Sequence, residues 1–263
     1  MISFQDVEVK QQGNILLQDI NWHVDAKEHW ALIGMNGAGK TTLLKLLNGY
    51  MWPTKGEIAV FQQPLGTVPV QVMRQRIGWV SDDLTARFQN KQNETALAIV
   101  LSGFFGSVGL FEQTDDYQLA QAEKALDDLK VLHKADEPLY RLSQGEKQRV
   151  LIARARCFSP DILIFDEPMT GMDVRGREDM VAAVDALARV EDGPTIIYVT
   201  HHIEEIAPSI NKTAVLQNGN ITHCGGKEHV LTSPILSEVF DVSVNVHWAA
   251  QRPWLIRDEE GMQ

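Results

Sequence analysis

Apolar and polar positions alternate in two segments of the first sixty residues, a region of strands and turns. In "INWHV", Ile20, Trp22 and Val24 share one face, and in "GEIAVF", Ile58 and Val60 repeat the pattern, the two-residue period of strands covered on one side. Gly13 and Asn14 supply a turn between early strands, so this region predicts a small antiparallel layer. Three further apolar runs do not alternate: "WALI" (30–33), "ILIF" (162–165) and "TIIYV" (195–199). Such runs predict strands buried on both faces of a parallel sheet. Each leads directly into polar residues, respectively a glycine loop, Asp166-Glu167 and Thr200-His201-His202. Parallel strands bring their carboxyl ends to one edge, where ligands of open α/β sheets bind, so the three polar endings converge on one place.

Helical periodicity fills the gaps. Leu43, Leu44, Leu46 and Leu47 form an apolar face ended by Gly49; Leu119, Ala122, Leu126 and Leu129 form a second; Met180, Val181, Val184 and Leu187 form a third that stops before Gly193-Pro194. Asn218-Gly219, between "TAVLQ" and "ITHC", predicts a tight hairpin. Val242, Val244, Val246 and Trp248 alternate in a last, lone strand before a frayed tail, "RDEEGMQ". The run "TALAIVLSGFFGSVGLF" (95–111) is seventeen residues without a charge, at the lower edge of a membrane-spanning helix. Its glycines at 103, 106 and 109, its two serines and the lack of a second such run favour a buried or partner-facing segment. The three-residue glycine spacing permits close approach by another helix, with core packing the commoner explanation.

Charge and cysteine usage narrow the class. With 24 basic against 35 acidic residues and a net charge of −11, a surface devoted to nucleic acid or anionic membrane is not expected. Cys157 and Cys224 match no metal spacing and suit a reducing cytoplasm. The start "MISFQDVEVK" carries no export signal. At 263 residues, either one large domain or two small ones can bury a core.

The glycine loop "GMNGAGKTT" fits G-x-x-x-x-G-K-[ST], follows an apolar strand and opens a leucine-faced helix, the context that confirms a phosphate loop. Its candidate nucleotide ligands are Gly34, Met35, Asn36, Gly37, Ala38, Gly39, Lys40, Thr41 and Thr42. Glycines let amides curl around phosphate, Lys40 reaches the β and γ groups, and the Thr41 hydroxyl ligates Mg²⁺. Asp166 is the expected partner for that ion, and Glu167 beside it is a candidate general base for the attacking water. His201, ending the third strand, could contact the γ-phosphate or hold that water. A second anion-binding helix start lies at "RLSQGEKQRV": Ser143 and Glu146 have capping-box spacing, and Gly145 leaves amides uncovered. As an ordinary cap it would contribute about 1 kcal/mol to folding.

The ordered set of glycine loop, "LSQGEKQRVLIARA", "ILIFDEP", "TGMD" and "VTHH" resembles the nucleotide-binding subunit of the ATP-binding cassette (ABC) family, over about residues 1 to 230. The resemblance implies an α/β fold: a P-loop NTPase core with a mainly parallel sheet, an N-terminal antiparallel layer and a helical subdomain inserted at about 83–157. It places an ATPase domain at 1–235 and an extension of unknown role at 236–263. It implies that two cassettes pair head to tail around two Mg-ATP, with Ser143, Gln144, Gly145 and Glu146 of one facing the phosphates held by the other. Asp173 would link the two sites, Glu167 would be the base and His201 the switch histidine. The resulting machine is an ATP-hydrolysing cytoplasmic subunit, peripheral to the membrane, that drives a separate permease. Two alternatives stand beside it: a soluble ATPase switch acting on DNA, ribosome or another protein, and a small-molecule P-loop kinase, which leaves "LSQGE" and His201 without purpose.

Two positions depart from the family pattern. Where an early turn usually carries an aromatic to stack on adenine, this chain has Gln11; stacking is worth roughly 1–3 kcal/mol, so weaker or less base-selective binding is expected. In "IGWVSDDL", Asp82 stands where the family shows a glutamine that approaches magnesium and couples to a membrane partner. Asp82 could bind the ion through water, or Ser81, Asp82 and Asp83 could cap a following turn. The stretch "SGFFGSVGL" is also similar to a bacterial subgroup linked with molybdate uptake and photorepair.

Overall fold

The computed structural model describes residues 1–89 and 94–257. In chain order its strands are β1 (Ile2–Gln11), β2 (Asn14–Val24), β3 (Trp30–Ile33), β4 (Lys55–Val60), β5 (Gln63–Pro64) and β6 (Ile77–Ser81), then β7 (Ile162–Asp166), β8 (Thr195–Thr200), β9 (Lys212–Gln217), β10 (Asn220–Gly226), β11 (Val244–Ala249) and β12 (Arg252–Arg257). The helices are α1 (Lys40–Leu47), α2 (Val70–Arg74), α3 (Asp82–Gln89), α4 (Ala96–Leu101), α5 (Asp116–Asp128), α6 (Gln144–Arg156), α7 (Val174–Ala188), α8 (Lys227–Val230) and α9 (Ser233–Phe240).

The central sheet has the order β10-β9-β3-β8-β7-β6; β9, β3, β8, β7 and β6 are parallel, and β10 returns antiparallel after the Asn218-Gly219 turn. All four residues of β3 and all six of β8 are buried, as their uninterrupted apolar runs require. Successive residues of β7 feed two different cores. Ile162 and Ile164 pack with α1 and the antiparallel layer β2-β1-β4-β5, while Leu163 and Phe165 pack with α4, α5, α6 and α7. The molecule is therefore a sheet sandwiched between an antiparallel layer and a set of helices, with α3 to α6 lying between β6 and β7 in the chain.

Three sequence readings change. The turn between β1 and β2 is made by Gln12 and Gly13, both with positive φ (50° and 84°), and Asn14 already belongs to β2. Residues 95–111 do not form one helix: Thr95 caps α4 by accepting from the Ala98 amide, a tight 3-10 turn follows at Ser102–Phe105, and Gly106 ends it at φ 62°. The three glycines thus share no helix face. Gly103 abuts the backbone carbonyl of Arg154 on α6, which is core packing, whereas a side chain at Gly106 would meet nothing within 4 Å. Among the described residues no helix is long and apolar enough to cross a membrane.

The last strand is also not alone. It begins at Val244, and β11 pairs with β12 from Val244↔Arg257 to Ala249↔Arg252. The arginines and Pro253 in "RPWLIR" hide the alternation that would have revealed β12. Residue 235 falls inside α9, and residues 258–263 of the tail lie outside the described residues.

Candidate functional site

The carboxyl end of β3 runs into the glycine loop, which turns back to start α1. Gly39 takes φ 109°, and a Cβ there would sit 2.7 Å from a Leu17 methyl; Gly34 is pressed against the Leu216 carbonyl. Both positions demand glycine for backbone conformation or close approach. Lys40, 6% exposed, curls over its own loop and donates from Nζ to the carbonyls of Gly34 (2.7 Å) and Met35 (3.3 Å).

Neighbouring strands deliver the other groups. In register, Asp166 at the end of β7 lies between Ser81 of β6 and Val199 of β8. Glu167 follows with φ 51°, its amide donating to Val199 O at 2.9 Å. Its Oε1 lies 3.3 Å from Lys40 Nζ and 3.2 Å from His201 Nδ1. The latter contact has ion-pair distance without hydrogen-bond alignment, so His201 Nδ1 is a buried polar atom lacking a hydrogen-bond partner among the described residues. Two residues predicted from the ends of β3 and β8, Lys40 and His201, are thus brought close to one carboxylate oxygen of a third, Glu167 at the end of β7.

The loop, Lys40, Thr41, Thr42, Asp166 and Glu167 line one cleft of about 840 Å³. The cleft continues past Ser81 to Tyr50, Trp79 and Arg154, which sequence reasoning did not single out. Arg154 is buried, donates to Ser102 Oγ (3.2 Å) and Ser107 O (2.9 Å), and burial pulls its pKa down to about 10. Burial likewise pushes the Cys157 thiol up to about 12, which makes it inert packing.

Ser143, Gln144, Gly145 and Glu146 stand apart: among the described residues, none of the four lines the cleft. They start α6 as a complete capping box, with Ser143 Oγ accepting from the Glu146 amide (3.3 Å) and Glu146 Oε2 accepting from the Ser143 amide (2.8 Å). The bond from the Ser143 amide holds the Glu146 carboxyl below its ordinary range. A Cβ added at Gly145 would meet nothing within 4 Å. Asp173 caps α7, its Oδ1 accepting from the Gly176 amide at 2.7 Å. Gln11 is the exposed last residue of β1. Ser81 Oγ accepts from the Leu84 amide (3.3 Å) at the start of α3, so a cap is present there. The Asp82 side chain lies outside what the structure describes.

Sequence reasoning also missed the support behind His201. Glu205, 5% exposed, accepts from Thr200 Oγ1 (2.8 Å) and Tyr198 OH (3.3 Å). Burial raises its carboxyl pKa against those two bonds. An acid four residues after a strand-ending histidine was the available signal.

The family model described as "ABC transporter" matches residues 17–170. An uncharacterized ABC transporter ATP-binding protein, YlmA of Bacillus subtilis (strain 168), is 40% identical over 98% of both chains. The ABC transporter ATP-binding protein ModF of Escherichia coli (strain K12) is 33% identical over 72% of this chain and 39% of its own. Among solved structures, cbiO1 of Clostridium perfringens, part of the ABC transporter complex cbiONQ, superposes with a TM-score of 0.75 at 26% identity, covering 90% of this chain and 92% of that one. A dimeric ATP-binding cassette in a post-hydrolysis state bound to ADP and Pi gives 0.71 at 25% identity, covering 86% and 98%.

Proposed function

The chain belongs to the ABC transporter family, and from that premise we propose how its own residues serve an ATPase that works as a dimer and energises a separate membrane permease. The observation that carries the reading is the Glu167 carboxylate, held 3.3 Å from Lys40 Nζ and 3.2 Å from His201 Nδ1 at the mouth of the glycine loop. The loop amides from Met35 to Thr42 cradle the phosphates, and Lys40 supplies the cation for the β and γ groups. Glu167 takes the proton of the attacking water. His201 holds that water or the γ-phosphate at the same carboxylate. The orphaned Nδ1 is what such a contact would satisfy.

Magnesium fits the donors present. Thr41 and Asp166 line the same cleft and offer hard oxygens, and among the described residues no cluster of three or more His, Cys, Asp or Glu could hold an ion by protein groups alone. Few protein ligands, completed by phosphate oxygens and water, is the habit of Mg²⁺. When bound it would neutralise charge on the phosphoryl oxygens. Asp82 follows Ser81, whose register partner is Asp166, and its proposed role is to bind the same ion through water.

The second anion site belongs to a second copy. Ser143 to Glu146 lie outside their own chain's cleft, and a helix start with uncovered amides attracts anions. Head-to-tail pairing lets that tip close on the partner's γ-phosphate, with Asp173 linking the two sites. The permease is a separate membrane-spanning polypeptide, this chain works at the cytoplasmic face of that membrane, residues 1–235 form the ATPase domain, and a net charge of −11 argues against a dedicated nucleic-acid surface.

Glu167→Gln tests the assignment. It should retain ATP binding and slow hydrolysis by about 10² or more, the scale of a general base. Unchanged turnover, measured as phosphate release, removes Glu167 from that role.

A further inference from the structure

The turn that carries His201 is held from two sides. Inside, Glu205 takes bonds from Thr200 and Tyr198, and Thr200 Oγ1 in turn accepts the His202 amide at 2.9 Å. Outside stands Arg252, the first residue of β12. Its Nε and Nη2 donate to the Glu204 carbonyl at 3.2 and 2.5 Å, three residues beyond His201. The same guanidinium pairs with both carboxylate oxygens of Glu178 on α7, Nη1 at 2.6 Å and Nη2 at 3.1 Å. The Arg252 side chain is only 11% exposed, and the Trp254 ring centroid lies 5.0 Å from its guanidinium carbon.

One planar fork thus joins three elements: the C-terminal hairpin, the turn after β8, and the helix whose first turn is capped by Asp173. Only arginine can bond a carbonyl and a carboxylate from one rigid plane. An exposed ion pair alone would contribute little to stability. Placement is a different matter, because an error of about 1 Å in a reacting group costs on the order of 10² in rate. The hairpin itself has other anchors: Lys227 Nζ donates to Gln251 O (3.3 Å), Ser237 Oγ accepts the Val244 amide (3.0 Å), and Ser233 Oγ accepts the Val246 amide (2.9 Å). Loss of Arg252 therefore leaves the hairpin docked and the turn held from the inside alone.

We propose that Arg252 is a positioning residue for ATP hydrolysis: through the Glu204 carbonyl it fixes the turn that aims His201 at Glu167, and through Glu178 it ties that turn to the Asp173 helix. The inference rests on the role given above to His201. The C-terminal hairpin is, in this account, part of the catalytic apparatus without touching nucleotide.

The test compares Arg252→Ala, His201→Ala and the double variant in full-length protein, measuring kcat and KM for ATP. Arg252→Ala should lower kcat about tenfold with KM within about twofold, and should add no further loss in the His201→Ala background, the non-additivity of residues acting as a unit. Unchanged kcat in Arg252→Ala, or an equal loss with and without His201, overturns the inference while leaving the site intact. Full turnover by His201→Ala overturns the site reading itself and the inference with it. Should Arg252→Ala fail to fold, Glu178→Gln weakens one anchor at a half-exposed carboxylate; a kcat lowered about threefold at constant KM, and only when His201 is present, supports the proposal. An unaltered kcat in that variant overturns it.

Discussion

Glu167 sits at φ 51°, a left-handed conformation that costs a non-glycine residue about 1–2 kcal/mol. The cost is tolerated because its amide bonds Val199 O and its carboxylate is set between Lys40 and His201. Residues of this kind were legible in the sequence because phosphate chemistry imposes fixed spacings, as in the glycine loop and the Asp166-Glu167 pair. Glu205 and Arg252 were not, since they act by bracing a turn, and Arg252 reaches a carbonyl 48 positions away. Glu205 carries its own prediction. Its carboxyl pKa is raised above 4.5 by burial, so the folded state favours the protonated form; that stabilisation is complete below the unfolded pKa and is lost as pH rises through the folded value. Glu205→Gln removes the titration while leaving an acceptor for Thr200 and Tyr198. The melting temperature of the variant relative to the parent should therefore climb as pH rises from about 4.5 toward neutrality. A difference that stays flat over that range would contradict the burial account.

At the scale of elements, periodicity separated the two kinds of sheet. Alternation gave the antiparallel layer, and uninterrupted runs gave β3, β7 and β8, because burial on one face or two leaves different traces. It failed where one segment changes conformation within a few residues. The glycines at 103, 106 and 109 share a three-residue spacing, yet one allows contact with α6, one ends a turn at φ 62°, and one adopts φ 106°. It failed again at β12, where Pro253 and flanking arginines interrupt the apolar pattern. Gly103→Ala tests the close approach: a Cβ would strike the Arg154 carbonyl backbone, which cannot move aside, so unfolding by denaturant should show a loss of about 1–3 kcal/mol. Gly145→Ala, in α6 at ordinary helical φ, would meet nothing within 4 Å, and an equal stability loss there would refute the packing explanation.

For the whole molecule, the decisive fact is separation. One chain presents a glycine loop at the strand ends and a fully capped helix start elsewhere, and among the described residues the two do not share a cleft. Both were visible in the sequence; that they belong to different copies was implied by the family resemblance and is consistent with the dimeric cassette to which this chain is similar. A net charge of −11 makes two copies repel at long range, so pairing should need nucleotide and Mg²⁺ to bridge the faces. The most direct measurement is the molar mass in solution of the Glu167→Gln protein with and without Mg-ATP, alone and combined with Ser143→Arg. Glu167→Gln should be a dimer only with Mg-ATP, and the added arginine should return it to a monomer that still binds nucleotide. A Ser143→Arg protein that dimerises normally on ATP, or a parent that hydrolyses ATP at full rate while strictly monomeric, would contradict the claim that the site is completed by a second copy.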